Sequence, residues 1–173
     1  MALAHLNLQA AEQFETLGWP NRRVEQYKYS DLTAMGKADL AASQVVVTLS
    51  VPEQEGLLVS KIDQVDAAVA GLLGTVLPLN DALAALNGSQ AQDAFVVQIT
   101  QSLAEPVELR FTAAATTYPR ILVLVGEGVE ASLVESYEGT GICAPAVEVI
   151  LDAGAKLNHL RAQTCSDEAT HLS

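Results

Sequence analysis

Gly126, Gly128 and Ala131 follow the apolar run Arg120-Ile121-Leu122-Val123-Leu124-Val125 in the spacing G-x-G-x-x-A. At the start of a helix, that spacing lets backbone N–H groups cradle a pyrophosphate. Asp152 ends the next apolar run, near where a ribose-binding carboxylate would fall. The chemistry implied is nucleotide binding by a small Rossmann-like enzyme, and two features oppose it. A Rossmann unit needs a crossover helix after its glycines, whereas Ser132 to Tyr137 runs straight into Glu138-Gly139-Thr140-Gly141 and then Pro145. The same strand and turn also recur as Val149-Ile150-Leu151-Asp152-Ala153-Gly154, without the double glycine. The favoured expectation is therefore a turn between strands. Saturable binding of NAD or FAD, lost on Gly128→Val, would mark the enzyme instead.

Other reactive side chains are few. Cys143 and Cys165 form no C-x-x-C pair, and their spacing does not match the repeat described below. His159, Cys165 and His171 lie close in sequence at a spacing that matches no metal site, so they read as hydrogen-bonded or exposed residues. G-x-x-x-x-G-K-[ST] and G-x-S-x-G are both missing, which removes P-loop nucleotide binding and the serine-hydrolase elbow. Asp63 and Asp66 stand at helical spacing and read as a solvated face. No catalytic, cofactor-binding or metal residue is assigned from these patterns.

The 173 residues suffice for one ordinary domain. Half are hydrophobic and 17% are charged, below the roughly one quarter of an average soluble domain, so elements buried on both faces are expected. The longest uncharged window, Ala67 to Asn80, is interrupted by Gly71, Gly74 and Pro78 and is too short to span a bilayer. A net charge of -12 argues against nucleic acid and anionic membranes. The one basic cluster, Arg22, Arg23, Lys28 and Lys37, is diluted by Glu25 and Asp31 and reads as a solvated face. Met1 to Ala10 lacks the pattern of a signal peptide, and two cysteines make no disulfide framework. The expected location is the reduced cytoplasm.

The elements that would position these residues fall into two regions. Residues 1–90 read as a mainly helical region with a small strand unit. A first helix carries Leu6, Leu8, Ala10, Ala11, Phe14 and Leu17 and stops at Gly18-Trp19-Pro20. A second helix is expected from Arg22 to Met35. Val45 to Leu49 and Leu57 to Val59 predict a strand, loop, strand unit around the turn Pro52 to Gly56. Asp63 to Leu86 reads as helix broken near Pro78, with Asn87-Gly88-Ser89 ending the helical part.

Residues 91–173 repeat at an offset of 26: Val97 falls on Val123 and Val149, Ile99 on Val125 and Leu151, Leu103 on Val129 and Ala155, and Gly128 on Gly154. Apolar positions two residues apart followed by a glycine turn predict stacked strands. The expected fold is thus mixed, the helical region leading into the first coils of a right-handed parallel β-helix of about 26 residues per coil. In the second strand Val107, Leu133 and His159 align, but Leu109, Glu135 and Arg161 differ in polarity. A one-residue slip of register between the first two coils is expected there.

The residues carry a family resemblance. Gly18-Trp19-Pro20-Asn21-Arg22-Arg23-Val24-Glu25-Gln26-Tyr27-Lys28-Tyr29-Ser30-Asp31-Leu32 is similar to the G-x-P-x-R-[KR]-x-E-x-W-[KR]-[YF]-[ST]-x-L segment of the SufD branch of the SufB/SufD iron-sulfur cluster assembly proteins, with Tyr27 in place of the usual Trp. Leu79-Asn80-x-Ala82, Glu105-Pro106, Pro119-Arg120, Glu127-Gly128-x-x-Ala131, Ala155-x-Leu157-x-His159, Gln163 and His171-Leu172 resemble later family segments in order.

The resemblance implies a non-catalytic scaffold subunit working with a SufB-like partner and a SufC-like ABC ATPase. It places the iron-sulfur cluster at the level of the complex rather than on this chain. It also implies that the chain is the N-terminal part of a longer fold, with the family's cluster-related His and Cys positions lying beyond it. Self-association through an open β-helix end is a further expectation, since no capping sequence follows His171.

Overall fold

Helix α1 (Ala2–Leu17) forms where Leu6, Ala10 and Phe14 recur four residues apart and share one face. Leu6 and Ala10 are buried, and the Gly18 N–H closes the helix on the Phe14 carbonyl at 2.8 Å. The computed structural model describes residues 2–38, 40–42, 46–50, 54–113 and 115–172. The second helix expected over Arg22 to Met35 is replaced by two short 3-10 turns, Glu25–Tyr27 and Thr33–Lys37. The Asn21 side chain accepts the Arg23 N–H, and Asp31 accepts both the N–H and hydroxyl of Thr33. Such local bonds compete with a helix, and neither turn buries a residue that would favour one.

The stretch from Asp63 to Leu86 divides more sharply than expected. Helix α2 (Ala67–Ala70) is a single turn capped by Asp66, whose carboxylate accepts the Val69 N–H. Helix α3 (Ala82–Gln90) starts at Asp81, which caps the N–H groups of Leu83 and Ala84 at 2.9 Å each. It does not end at Asn87-Gly88-Ser89 but runs through them. Gly88 is the close-approach point between helices: a Cβ there would lie 2.8 Å from the Ala10 Cβ. Asn7 of α1 donates to the Gly88 and Ala91 carbonyls, so α1 itself caps the end of α3.

Among the described residues, ten strands follow the helices or interleave with them. β1 (Val46–Ser50) and β2 (Leu57–Lys61) lie where the strand unit was expected, with Val45 and Pro52 outside the described residues. The two do not pair with each other. β1 runs antiparallel to β4 (Val107–Ala113), and β2 antiparallel to β3 (Ala94–Ile99). One sheet has the order β2-β3-β5-β8, with β5 at Arg120–Val125 and β8 at Ala146–Leu151. The other has the order β1-β4-β6-β9, with β6 at Glu130–Gly139 and β9 at Lys156–Gln163. A two-stranded contact joins β7 (Ile142–Cys143) to β10 (Thr170–His171).

The 26-residue offset is the pairing register. Val97 pairs with Val123 and Val123 with Val149; Ile99, Val125 and Leu151 do the same, all in parallel. In the second sheet Val107 pairs with Leu133 and Leu133 with His159, while Leu109, Glu135 and Arg161 line up beside them. The expected one-residue slip therefore does not occur. Thr117 bridges Cys143, again at this offset, but Cys143 pairs with His171, two residues further on than the repeat requires. The turn from Ser166 to Ala169 absorbs the extra length.

Each glycine turn stacks on the next. Gly128 and Gly154 have φ of 68° and 71°, which favours glycine, and the Gly128 N–H donates to the Ala153 carbonyl.

Inward residues of the two sheets form one core, from Val97, Ile99, Val123 and Val125 against Val107, Leu109, Leu133 and Tyr137. The opposite face of the first sheet, through Ala94, Val96 and Leu122, is covered by Leu6, Ile62 and Leu73. Burial on both faces accounts for the unbroken apolar run of β5 and for the low charge content.

Candidate functional site

The glycine motif opens a strand and not a helix. After β5 the Gly126 N–H bonds to the Ile99 carbonyl, a short turn passes through Gly128, and the chain enters β6. A strand occupies the place where the dinucleotide fold needs a helix, so among the described residues no helix starts at this turn. Ala131 lies on β6 among the core residues, and the exposed Asp152 sits at the end of β8, its N–H tied to the Val125 carbonyl. The enzyme reading built on Gly126, Gly128 and Ala131 is corrected on this ground.

The structure gathers polar side chains elsewhere, on the inner side of the second sheet. Glu135 of β6 is fully buried. Its carboxylate accepts from the Tyr137 hydroxyl at 2.7 Å and the Arg161 Nε at 3.2 Å, and it meets the His159 Nε2 at 2.5 Å. Desolvating a carboxylate costs several kcal/mol, which these polar contacts offset. His159 and Arg161 reach it because β9 stacks on β6 in register, placing Arg161 directly over Glu135.

Tyr137 is the hub of the cluster. Its ring stacks on Phe111 at 5.0 Å, meets His171 edge-on at 4.7 Å, and lies 5.9 Å from the Arg161 guanidinium. Its carbonyl accepts from the Cys165 thiol. Burial, and then the adjacent Glu135 charge, keep the Tyr137 phenol protonated far above its usual range.

Cys165 and His171, near in sequence, thus both meet Tyr137, while His159 meets its partner Glu135 and Cys143 lies beneath His171 in the β7–β10 pair. They are not arranged as ligands. Among the described residues no group of three or more His, Cys, Asp or Glu side chains could hold a metal ion. Burial pushes the Cys143 thiol up to about 11, away from the thiolate that a cluster ligand must be. Burial likewise lowers the His171 pKa, and among the described residues both ring nitrogens are buried without a hydrogen-bond partner. These residues do not fit a resident iron-sulfur cluster.

A second buried polar group lies on the other sheet. Arg120 and Glu148, both fully buried, pair at 2.5 Å. Glu148 also accepts the backbone N–H groups of Gly74, Val76 and Leu77, and Arg120 donates to Asn87 of α3. Asn87 in turn donates to the carbonyls of Pro119 and Ala144. This group joins the helical region to the strand stack and leaves no reactive atom exposed.

Glu135, Tyr137, Arg120 and Glu148 were not singled out as site residues from the sequence. The signal for Glu135 was present as the broken polarity of the Leu109, Glu135, Arg161 row. It marks a buried carboxylate rather than a slipped strand.

Residues 109–173, which hold the whole Glu135 and Tyr137 cluster, match the family model of the SUF system FeS cluster assembly SufBD core domain. This stretch is similar to the core domain of the SufB/SufD proteins, a family of the SUF system of iron-sulfur cluster assembly. No curated protein matches the chain. Among the described residues, no helix is long and apolar enough to cross a membrane.

Proposed function

We propose that the chain is a non-catalytic scaffold subunit of SUF-type iron-sulfur cluster assembly, of the SufD-like branch. Its partners are a SufB-like protein and a SufC-like ABC ATPase, it acts in the cytoplasm, and the cluster is cargo of the complex. The parallel strands of the two sheets are the first coils of a right-handed parallel β-helix. The observation that carries the reading is that the family match over residues 109–173 coincides with a constant pairing offset in both sheets.

The SufD-like assignment rests on the ordered N-terminal segment. Tyr27, standing where that branch usually has Trp, donates its hydroxyl to the capping carboxylate of Asp81 at 2.7 Å.

The test is direct association. The purified chain is mixed with the SufB-like protein of the same genome and followed by size exclusion with light scattering. A co-eluting complex of defined mass supports the proposal, and independent elution at concentrations of tens of micromolar counts against it.

A further inference from the structure

The segment between α1 and β1 has two faces of opposite character over residues 19–38. Trp19, Leu32 and Met35 turn inward and pack, with Phe14, on the buried cluster that holds Leu86 and Tyr118. Tyr27 is fixed through its hydroxyl, which donates to Asp81 at 2.7 Å, and the Leu32 N–H donates to the Pro20 carbonyl at 2.9 Å. Gly36 lies so close to the Trp19 ring that a Cβ there would stand 3.0 Å from it. The segment is therefore held at several points although it forms only short 3-10 turns.

What it turns outward is Arg22, Arg23, Val24, Lys28, Tyr29 and Lys37, all exposed. These include four of the nine basic residues of a chain with net charge -12, against only Glu25 and Asp31 of its twenty-one acidic ones. Glu25 neutralises little, since it lies 3.8 Å from Lys28 with both side chains in water. Among the described residues Arg23 and Lys37 make no ion pair, and Arg22 has the solvated Asp31 nearby. Tyr29 is 91% exposed, with the Lys28 ammonium 5.7 Å from its ring centroid. A fixed surface that offers arginines beside a bare aromatic ring has the composition of a protein-binding hot spot.

The charge pattern selects the occupant. Glu25 and Asp31 inside the patch would repel the phosphates of a nucleic acid, as would the net charge of the chain. A polypeptide can instead set carboxylates over the arginines and apolar side chains on Val24 and Tyr29. A second copy of this chain would bring its own charge of -12, and a contact of segment to body would leave another segment free and continue into a filament.

We propose that Arg22 to Tyr29 form a docking surface for an acidic segment of a partner polypeptide, Arg22 and Arg23 pairing with its carboxylates and Tyr29 covering its apolar side chains. A chain without this contact could still serve SUF assembly, so this reading and the assembly reading fail separately.

The probe is a fluorescein-labelled twelve-residue peptide of Glu, Leu and Ser, compared with a version carrying Gln for every Glu. Binding to the full chain is read by anisotropy, and its place by backbone amide shifts of the isotope-labelled chain. The Glu peptide should bind about tenfold or more tighter than the Gln peptide, with shifts concentrated on Arg22 to Tyr29. Arg22→Glu with Arg23→Glu should abolish that preference, and Tyr29→Ala should weaken binding of both peptides about threefold or more. Lys61→Glu with Lys156→Glu makes the same change in net charge elsewhere and should leave binding within about twofold. Equal binding of the two peptides, no binding, shifts away from the segment, no effect of Tyr29→Ala, or an equal loss in the Lys61 and Lys156 control would each overturn it. So would a twelve-nucleotide oligothymidine that binds tighter than the Glu peptide, or concentration-dependent self-association removed by Arg22→Glu with Arg23→Glu.

Discussion

The Arg120 guanidinium and the Glu148 carboxylate meet at 2.5 Å with neither side chain exposed, and Glu148 alone holds the backbone of three residues from the helical region. The pair is thus a joint between the N-terminal loop and the strand stack. Glu148→Leu should destabilise the chain by about 3–5 kcal/mol, because it leaves a buried guanidinium uncompensated. Hydrogen exchange should speed up at the amides of Gly74, Val76 and Leu77. Unchanged exchange there would show that Glu148 does not hold the loop.

Glu135 should behave differently, since its partners are partly exposed: the side chains of His159 and Arg161 are 29% and 32% accessible. Glu135→Leu should cost about 1–3 kcal/mol, chiefly by stranding the Tyr137 hydroxyl and the Arg161 Nε–H. Adding Arg161→Leu extends the apolar row begun by Leu109 and should recover part of that loss. A double-mutant cycle from urea unfolding measures the coupling, and strictly additive losses would contradict the direct interaction.

The close approach of α1 and α3 at Ala10 and Gly88 gives a packing test. Gly88→Ala should destabilise by about 1–3 kcal/mol, since the new methyl would stand 2.8 Å from the Ala10 Cβ, with Leu79 and Leu6 beside it. Ala10→Gly in that background should restore part of the loss by relieving the overlap, despite its own helix penalty of about 1 kcal/mol. Chemical denaturation of the single and double variants decides it.

Alkaline pH should weaken the fold. Tyr27 is pushed up to about 12 by burial and by Asp81, Cys143 up to about 11 by burial, and Tyr137 rises in the same direction. Lys61 and Lys156 are raised by their hydrogen bonds to Asp93 and Glu130. In each case the folded chain holds its proton after the unfolded chain has released it. The stabilisation is complete below pH 9 and declines as pH rises from about 9 to 12. The urea midpoint should fall across that window, less steeply between pH 10 and 12 in Tyr27→Phe. A flat or rising midpoint would contradict the assignment.

Much of the strand stack was legible because its signal is local and repeated. Val97, Val123 and Val149 are alike in type, and the glycine turns recur at the same place, so register could be read without tertiary information. The helical region was less legible. Nothing local shows that Gly88 continues a helix, because the reason is its neighbour Ala10 on α1. Asp31 and Asn21 stop the expected second helix through side-chain bonds that sequence alone weighs poorly. Glu135 was hardest, since a carboxylate at an inward position looks like an error of alignment until His159 and Arg161 are seen above it. The glycine motif at Gly126 misleads for a related reason: its meaning depends on whether a helix or a strand follows, and β6 follows.

The central claim is service in SUF-type iron-sulfur cluster assembly, and the most direct measurement is made in the organism that carries this gene. The chain is depleted under iron limitation and the specific activity of a [4Fe-4S] dehydratase is assayed, with its protein level held as the reference. The account predicts that activity falls while the protein level stays constant, and that chemical reconstitution of the cluster in the extract restores it. Dehydratase activity unchanged by depletion of the chain, with no other cluster assembly system active in that organism, would contradict it.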